Sequence, residues 1–356
     1  MPADNRRYLL LDAMRGVAAF AVLWGHLTSA WGRPELHGPQ YALAVDFFFI
    51  LSGFVISHAY ARRMKQGMSA LDLIRIRAIR LYPLLIVGAL VGTAVALLRH
   101  AGESGYAAPN VLESGLFAVL GLPSFAIPGI DLAFPVNSPA WSLFFELGVS
   151  LLYALIARFL TRSWLVAIVL AGAALFVTAA LQEGTVEMGW SRDGLLGGAV
   201  RVLFGFFAGL LLHDLRPRFS LPPWAGYALM AVLGVILFQP HAFWVHGSLM
   251  IAIVAFPVMV WLGSAVGESR VISRAGIVLG ALSYPLYILH WPIIDLTRGL
   301  LGQVDPDGRY LALWAPLQVT LAVSIAWTAM KLFDEPVRAW LTRATRRKPT
   351  EPMAAA

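Results

Sequence analysis

The chain has no cysteine, and it has little charge: only 13% of its 356 residues are Asp, Glu, Lys or Arg. The first absence excludes disulfides, thiolate catalysis and cysteine-based metal sites. The second excludes an ordinary soluble enzyme, in which about a quarter of the residues are charged. What is present instead is apolar. Hydrophobic residues make up 59% of the chain, and the mean hydropathy is +0.72. Lys and Arg outnumber Asp and Glu by 27 to 20, a net charge of +7. In a soluble protein that surplus would point to nucleic acid. In a chain this apolar it is expected to reflect arginines kept on the cytoplasmic side of a bilayer, with no nucleic-acid partner.

A membrane helix needs about 20 mainly apolar residues. Ten runs meet that need: Tyr8–Thr28, Tyr41–Tyr60, Leu81–Leu98, Ser138–Leu160, Ser163–Gln182, Gly194–His213, Pro222–Gln239, His246–Gly263, Ala275–Leu296 and Tyr310–Phe333. The fold class predicted is therefore an all-α polytopic bundle. Val111–Phe125 is too short to span and is read as an interfacial or re-entrant helix. With the N-terminus inside, nineteen basic residues fall on the inner side and five on the outer, while Arg15, Arg201 and Lys331 lie within spans. That bias predicts both termini in the cytoplasm. The first span ends in Thr28-Ser29-Ala30, which resembles a signal-peptide cleavage site. Asp12 and Arg15 interrupt it, so it is expected to be retained. Residues 1–338 are read as one transmembrane domain, and 339–356 as a short basic, disordered tail with no soluble domain appended.

Ionisable groups inside a bilayer are costly and default to a functional reading. Arg15 and His26 are eleven residues apart, about three turns, so they share a face of span one roughly 16 Å apart. The topology predicts two groups at different depths. An outer one holds His26, Asp46, Trp141, Ser142, Glu146 and His290; an inner one holds Arg15, Arg75, Arg77 and Arg80. Taken singly, each has a plainer explanation. An intramembrane His is often a helix-to-helix hydrogen-bond partner, loop arginines anchor topology, and Ser52-Gly53 marks close helix packing. A proton-coupled transporter would use the same buried His, Arg and Glu, although the polar residues crowd into spans one to four without a matching second set. A non-catalytic scaffold would not need them.

Order and spacing carry more than any single residue. Leu11-Asp12-Ala13-Met14-Arg15 with His26, Val45-Asp46-Phe47-Phe48-Phe49-Ile50-Leu51-Ser52-Gly53-Phe54, Arg77-Ala78-Ile79-Arg80 and Trp141-Ser142-Leu143-Phe144-Phe145-Glu146 follow one another along the chain. Ser283-Tyr284-Pro285-Leu286-Tyr287-Ile288-Leu289-His290 and Glu335-Pro336 come later. Together they resemble the acyltransferase-3 family of integral-membrane O-acyltransferases, from Leu11 to about Arg338. Ala13-Met14, where members often carry Gly-Leu, is a conservative departure. The resemblance implies acyl transfer, commonly of acetyl, from cytoplasmic acyl-CoA to a hydroxyl of a carbohydrate or related acceptor. No cofactor is expected to be bound permanently and no metal is expected; acyl-CoA is a co-substrate. The resemblance also implies a multi-pass protein of a bacterial inner membrane, with its acceptor on the far side.

The residues then take expected roles. Arg77 and Arg80, at i and i+3, present two guanidinium forks to phosphate, with Arg15 and Ser52 also on the donor side. His26 has a reference pKa near 6.5 and can take and return a proton near neutral pH, with Glu146 orienting it or holding the acceptor. Asp46, Trp141, Ser142, Tyr287 and His290 are expected at the acceptor. Direct transfer is the simpler route; an acyl-enzyme through Ser52 or Ser142 stays open.

Overall fold

The computed structural model describes residues 7–36, 38–100, 103, 106–240 and 244–345. Among them no strand forms beyond two isolated bridges, Leu132 to Ser191 and Leu221 to Val266. The helices are α1 (Leu9–Ala30), α2 (Ala44–Lys65), α3 (Ala70–Arg99), α4 (Ala108–Val119), α5 (Ala140–Ile156) and α6 (Arg162–Glu183). They continue with α7 (Leu195–Asp214), α8 (Pro223–Phe238), α9 (Val245–Gly263), α10 (Arg270–Leu301) and α11 (Leu311–Ala344). Eight are long and apolar enough to cross a membrane, and α5 and α8 are shorter apolar helices. Each of the ten expected runs overlaps one of these ten, and the all-α polytopic bundle is the architecture found. The eleventh, α4, packs its buried Val111 and Ala118 against α3.

Local sequence explains several helix starts. Ser69, Thr161 and Ser269 each accept a hydrogen bond from the backbone N–H three residues on, which satisfies an orphan donor at the first turn of α3, α6 and α10. The start of α3 corrects an expectation. The segment before Leu81, with Arg75, Arg77 and Arg80, is not a loop but the first third of a 30-residue helix, about 45 Å long. A helix longer than the hydrocarbon core carries its arginines into the bundle, and Arg77 is only 5% exposed. The expected tail is also shorter, because α11 runs to Ala344; residues 346–356 lie outside the described residues.

Pro292 lies inside α10 and withdraws the N–H that would bond the Ile288 carbonyl. Asn137 Nδ2 donates to that carbonyl instead, at 3.0 Å. Two wide π-turns interrupt α9 at Ile251–Ala255 and α11 at Met330–Asp334. Close packing holds the central pairs together. A β-carbon on Gly53 would run into the Phe206 backbone carbonyl, which fixes α2 against α7, and one on Gly16 would strike Leu279, which fixes α1 against α10. Small residues at such crossings let backbones approach, so dispersion replaces the hydrophobic drive that lipid removes.

Candidate active site

Five helices, α1, α2, α3, α5 and α10, line a cavity of about 90 Å³. Its polar wall consists of Arg15, Ser52, Arg77, Arg80, Ser142 and Glu146; Tyr284, Tyr287 and Phe48 add aromatic faces. Arg15 is held in place by α10, since its Nε donates to Ser283 Oγ at 2.9 Å and an Nη to the Gly280 carbonyl at 2.8 Å. It also pairs with Asp12, one turn away, at 3.1 Å.

Arg77 forms an ion pair with Glu146, and Ser52 Oγ donates to the same carboxylate oxygen at 2.7 Å. Arg77 Nε is buried and has no hydrogen-bond partner among the described residues. Arg80 makes no ion pair among the described residues, while Arg15, Arg77, Arg338 and Glu146 all lie within its electrostatic reach. Two carboxylates, Asp12 and Glu146, thus face three guanidinium groups, and the site keeps a net positive charge. A site of this kind attracts phosphate, and attracts it more strongly in a low-dielectric surrounding than in water.

The expected outer group does not stay together. Glu146 belongs with Ser52 and the arginines, and its carboxylate partners place it in the cavity rather than beside His26. Asp46 does not line the cavity. It forms a buried two-pronged pair with Arg201, at 3.0 Å and 2.8 Å. Arg201 also donates to the Met188 and Ala42 carbonyls and lies 5.3 Å from the Trp141 ring centre. Asp46 and Trp141 are therefore buried at the join between α2, α5 and α7 and do not line the cavity. The physical reason is rotation: depth along a helix follows from sequence, but the direction of a side chain around the axis follows from packing.

Ser142 and Tyr287 do meet, Oγ to Oη at 2.8 Å, and both line the cavity. Tyr287 also reaches residues outside the cavity lining. Its ring touches Phe48 on one side, and His290 on the other with ring centres 6.1 Å apart. Beyond it, His26 Nδ1 lies 2.7 Å from His290 Nε2. Trp291 and Tyr41 pack edge-on against the His26 ring. His26 and His290 are thus brought together, outside the cavity and one side chain away from it. Arg75 does not line the cavity.

Arg201 is the residue that sequence reading left without a role. Its signal was available: an arginine and an aspartate, each within an apolar run, are each other's most economical partner.

With this geometry in place, comparison with known proteins is informative. The family model for an acyltransferase domain of the acyltransferase-3 type matches residues 8–330. The chain belongs to that family and is an integral, multi-pass membrane protein. It is 34% identical over 160 residues to "Protein 2 in picA locus" of Rhizobium radiobacter, covering 42% of this chain and 81% of that one. It is 27% identical over 336 residues to "Exopolysaccharide production protein ExoZ" of Rhizobium meliloti (strain 1021), covering 88% and 93%. No solved structure matches.

Proposed function

We propose that this protein takes an acyl group, acetyl by default, from cytoplasmic acyl-CoA and places it on a hydroxyl of a polysaccharide or its precursor on the far side of an inner membrane. The observation that carries this reading is a cavity with three guanidinium groups whose lining Tyr287 packs against buried His290, itself paired with His26. The kinship with a protein named for exopolysaccharide production supports a carbohydrate acceptor. The positive-inside bias supports a cytoplasmic donor.

In this reading the phosphates of the donor rest against Arg80 and Arg15. Glu146 and Ser52 hold Arg77 in place, and the flexible pantetheine arm runs along the cavity toward Tyr287. His26 takes the proton of the acceptor hydroxyl as its oxygen attacks the thioester carbonyl. The tetrahedral intermediate collapses, the C–S bond breaks, and the departing thiolate receives that proton. The hydroxyls of Ser142 and Tyr287 stand where the carbonyl oxygen passes and supply neutral donors to the developing oxyanion.

Oriented proteoliposomes test the reading. Acyl-CoA confined to the cytoplasmic side is expected to be cleaved only when a polysaccharide acceptor is present on the other side. His26→Ala is expected to lower that rate by about 10²–10⁴-fold at normal membrane levels. Acceptor-independent turnover, or full activity in His26→Ala, refutes it.

A further inference from the structure

His26 and His290 carry an inference that rests on the acyltransfer reading but concerns His290, to which that reading gives no chemical step. His290 is wholly buried, and its Nδ1 lies 3.0 Å from the Leu286 carbonyl oxygen. A carbonyl oxygen can only accept, so Nδ1 carries the proton. In a neutral ring Nε2 is then the lone-pair nitrogen, and it is Nε2 that faces His26 Nδ1 at 2.7 Å. The contact is a hydrogen bond only if His26 donates from Nδ1. A neutral His26 with its proton there has its lone pair on Nε2. A cationic His290 would reverse the chain of donors. It would also place a charge in a wholly buried site where no carboxylate lies within ion-pair distance among the described residues.

We propose that His290 is a positioning residue that locks His26 in the Nδ1–H tautomer and so makes Nε2 the nitrogen that takes the acceptor's proton. The relay has a fixed direction: Leu286 carbonyl, His290, His26, acceptor hydroxyl. A carboxylate does this work for the histidine of a serine-protease triad, holding the tautomer and the ring angle. Here a second imidazole, anchored to helix backbone, does it without adding charge. The two ring planes are nearly parallel, 15° apart, with their centres 5.0 Å from each other. When His26 takes the proton onto Nε2, its Nδ1–H stays on His290. The same Nε2 proton leaves with the CoA thiolate, so the pair ends as it began.

The test combines histidine 15N spectroscopy with kinetics on the full-length protein in nanodiscs, the His26 signals being assigned by their loss in His26→Ala. In the wild type we expect a protonated, pyrrole-type signal at His26 Nδ1 and an unprotonated one at Nε2. His290→Leu should convert His26 to a mixture of tautomers and lower kcat by about 10²-fold with the KM for acyl-CoA unchanged. His290→Gln places an amide oxygen where Nε2 stood, and should restore both the tautomer and most of kcat. A protonated Nε2 in the wild type, or a Gln variant no better than the Leu variant, overturns the proposal. So does a fall in kcat with an unchanged tautomer. The spectra need no turnover, so failure of the acyltransfer reading shows separately, as full activity in His26→Ala.

Discussion

If Asp46 and Arg201 form a structural join, cutting one side should unfold the protein rather than weaken substrate binding. Both groups are essentially out of contact with solvent, at 2% and 1% exposure. Arg201 has four hydrogen bonds, two to Asp46 and two to the Met188 and Ala42 carbonyls. Asp46→Ala keeps the two carbonyl contacts but strips the guanidinium of its counter-charge. Removing one member of a buried pair costs about 3–5 kcal/mol, because the survivor stays buried and uncompensated. At about 2–4 °C per kcal/mol, midpoint temperature should fall on the order of 10 °C. The double variant Asp46→Leu, Arg201→Met removes both charges together, so it should be much less destabilised than the sum of the singles. Size-exclusion thermal-shift measurements on detergent-solubilised protein give all three midpoints. An Asp46→Ala protein with wild-type stability and a raised KM for acceptor refutes the argument and returns Asp46 to the acceptor site.

Arg80→Ala should weaken acyl-CoA binding by about 10- to 100-fold, the loss of one charge-assisted hydrogen bond of about 1.5–3 kcal/mol. The defect should vanish with a short acyl-pantetheine donor, as titration of both donors will show. Gly53→Ala should cost about 1–3 kcal/mol by overpacking, since its new methyl meets the Phe206 carbonyl on α7. Thermal stability in detergent checks this. His100 lies just past α3, where it bonds Asp295 at the end of α10 and pairs with Glu103. The Asp295 hydrogen bond, opposed by burial and helped by Glu103, raises its pKa above the usual 6.5. A raised folded-state pKa gives stability that is complete below 6.5 and lost as pH rises through the folded value. Hydrogen exchange at the C-terminal ends of α3 and α10 should therefore quicken across that window, and His100→Asn should abolish the dependence.

The bundle was legible because hydropathy and length fix where helices lie, and the ten apolar runs needed only those two properties. Helix extent was less legible. Charges at Arg75, Arg77 and Arg80 read as a loop boundary, but capping by Ser69 starts the helix earlier and the bundle interior accepts Arg77 beside Glu146. The site was legible in its residue types and not in its grouping. Glu146 one turn below Ser142 suggested a shared neighbourhood, and the cavity does hold both. Its partner across the gap was set by how α5 turns toward α3. Periodicity within one helix does not report such a choice between helices. His26 and His290, 264 positions apart, meet because α1 and α10 pack closely at Gly16.

The π-turn in α11 has a consequence for how that helix keeps faith with the bundle. From Gln318 onward its buried residues are Gln318, Ala322, Ala326, Met330 and Asp334, each four apart. Four residues overshoot an α-helical turn by 0.4 residue, about 40°. Four such steps would carry Asp334 about 160° away from Gln318, out toward lipid, where a carboxylate is costly. The wider turn at Met330–Asp334 takes up part of that drift. It works like a leap day in a calendar: one added unit brings a slipping cycle back into season, and Asp334 arrives buried with Arg338 3.0 Å from its carboxylate. Shortening α11 by a single residue inside that turn would change no side chain beyond it, yet it would swing the whole C-terminal segment of the helix, charges included, to a different compass bearing.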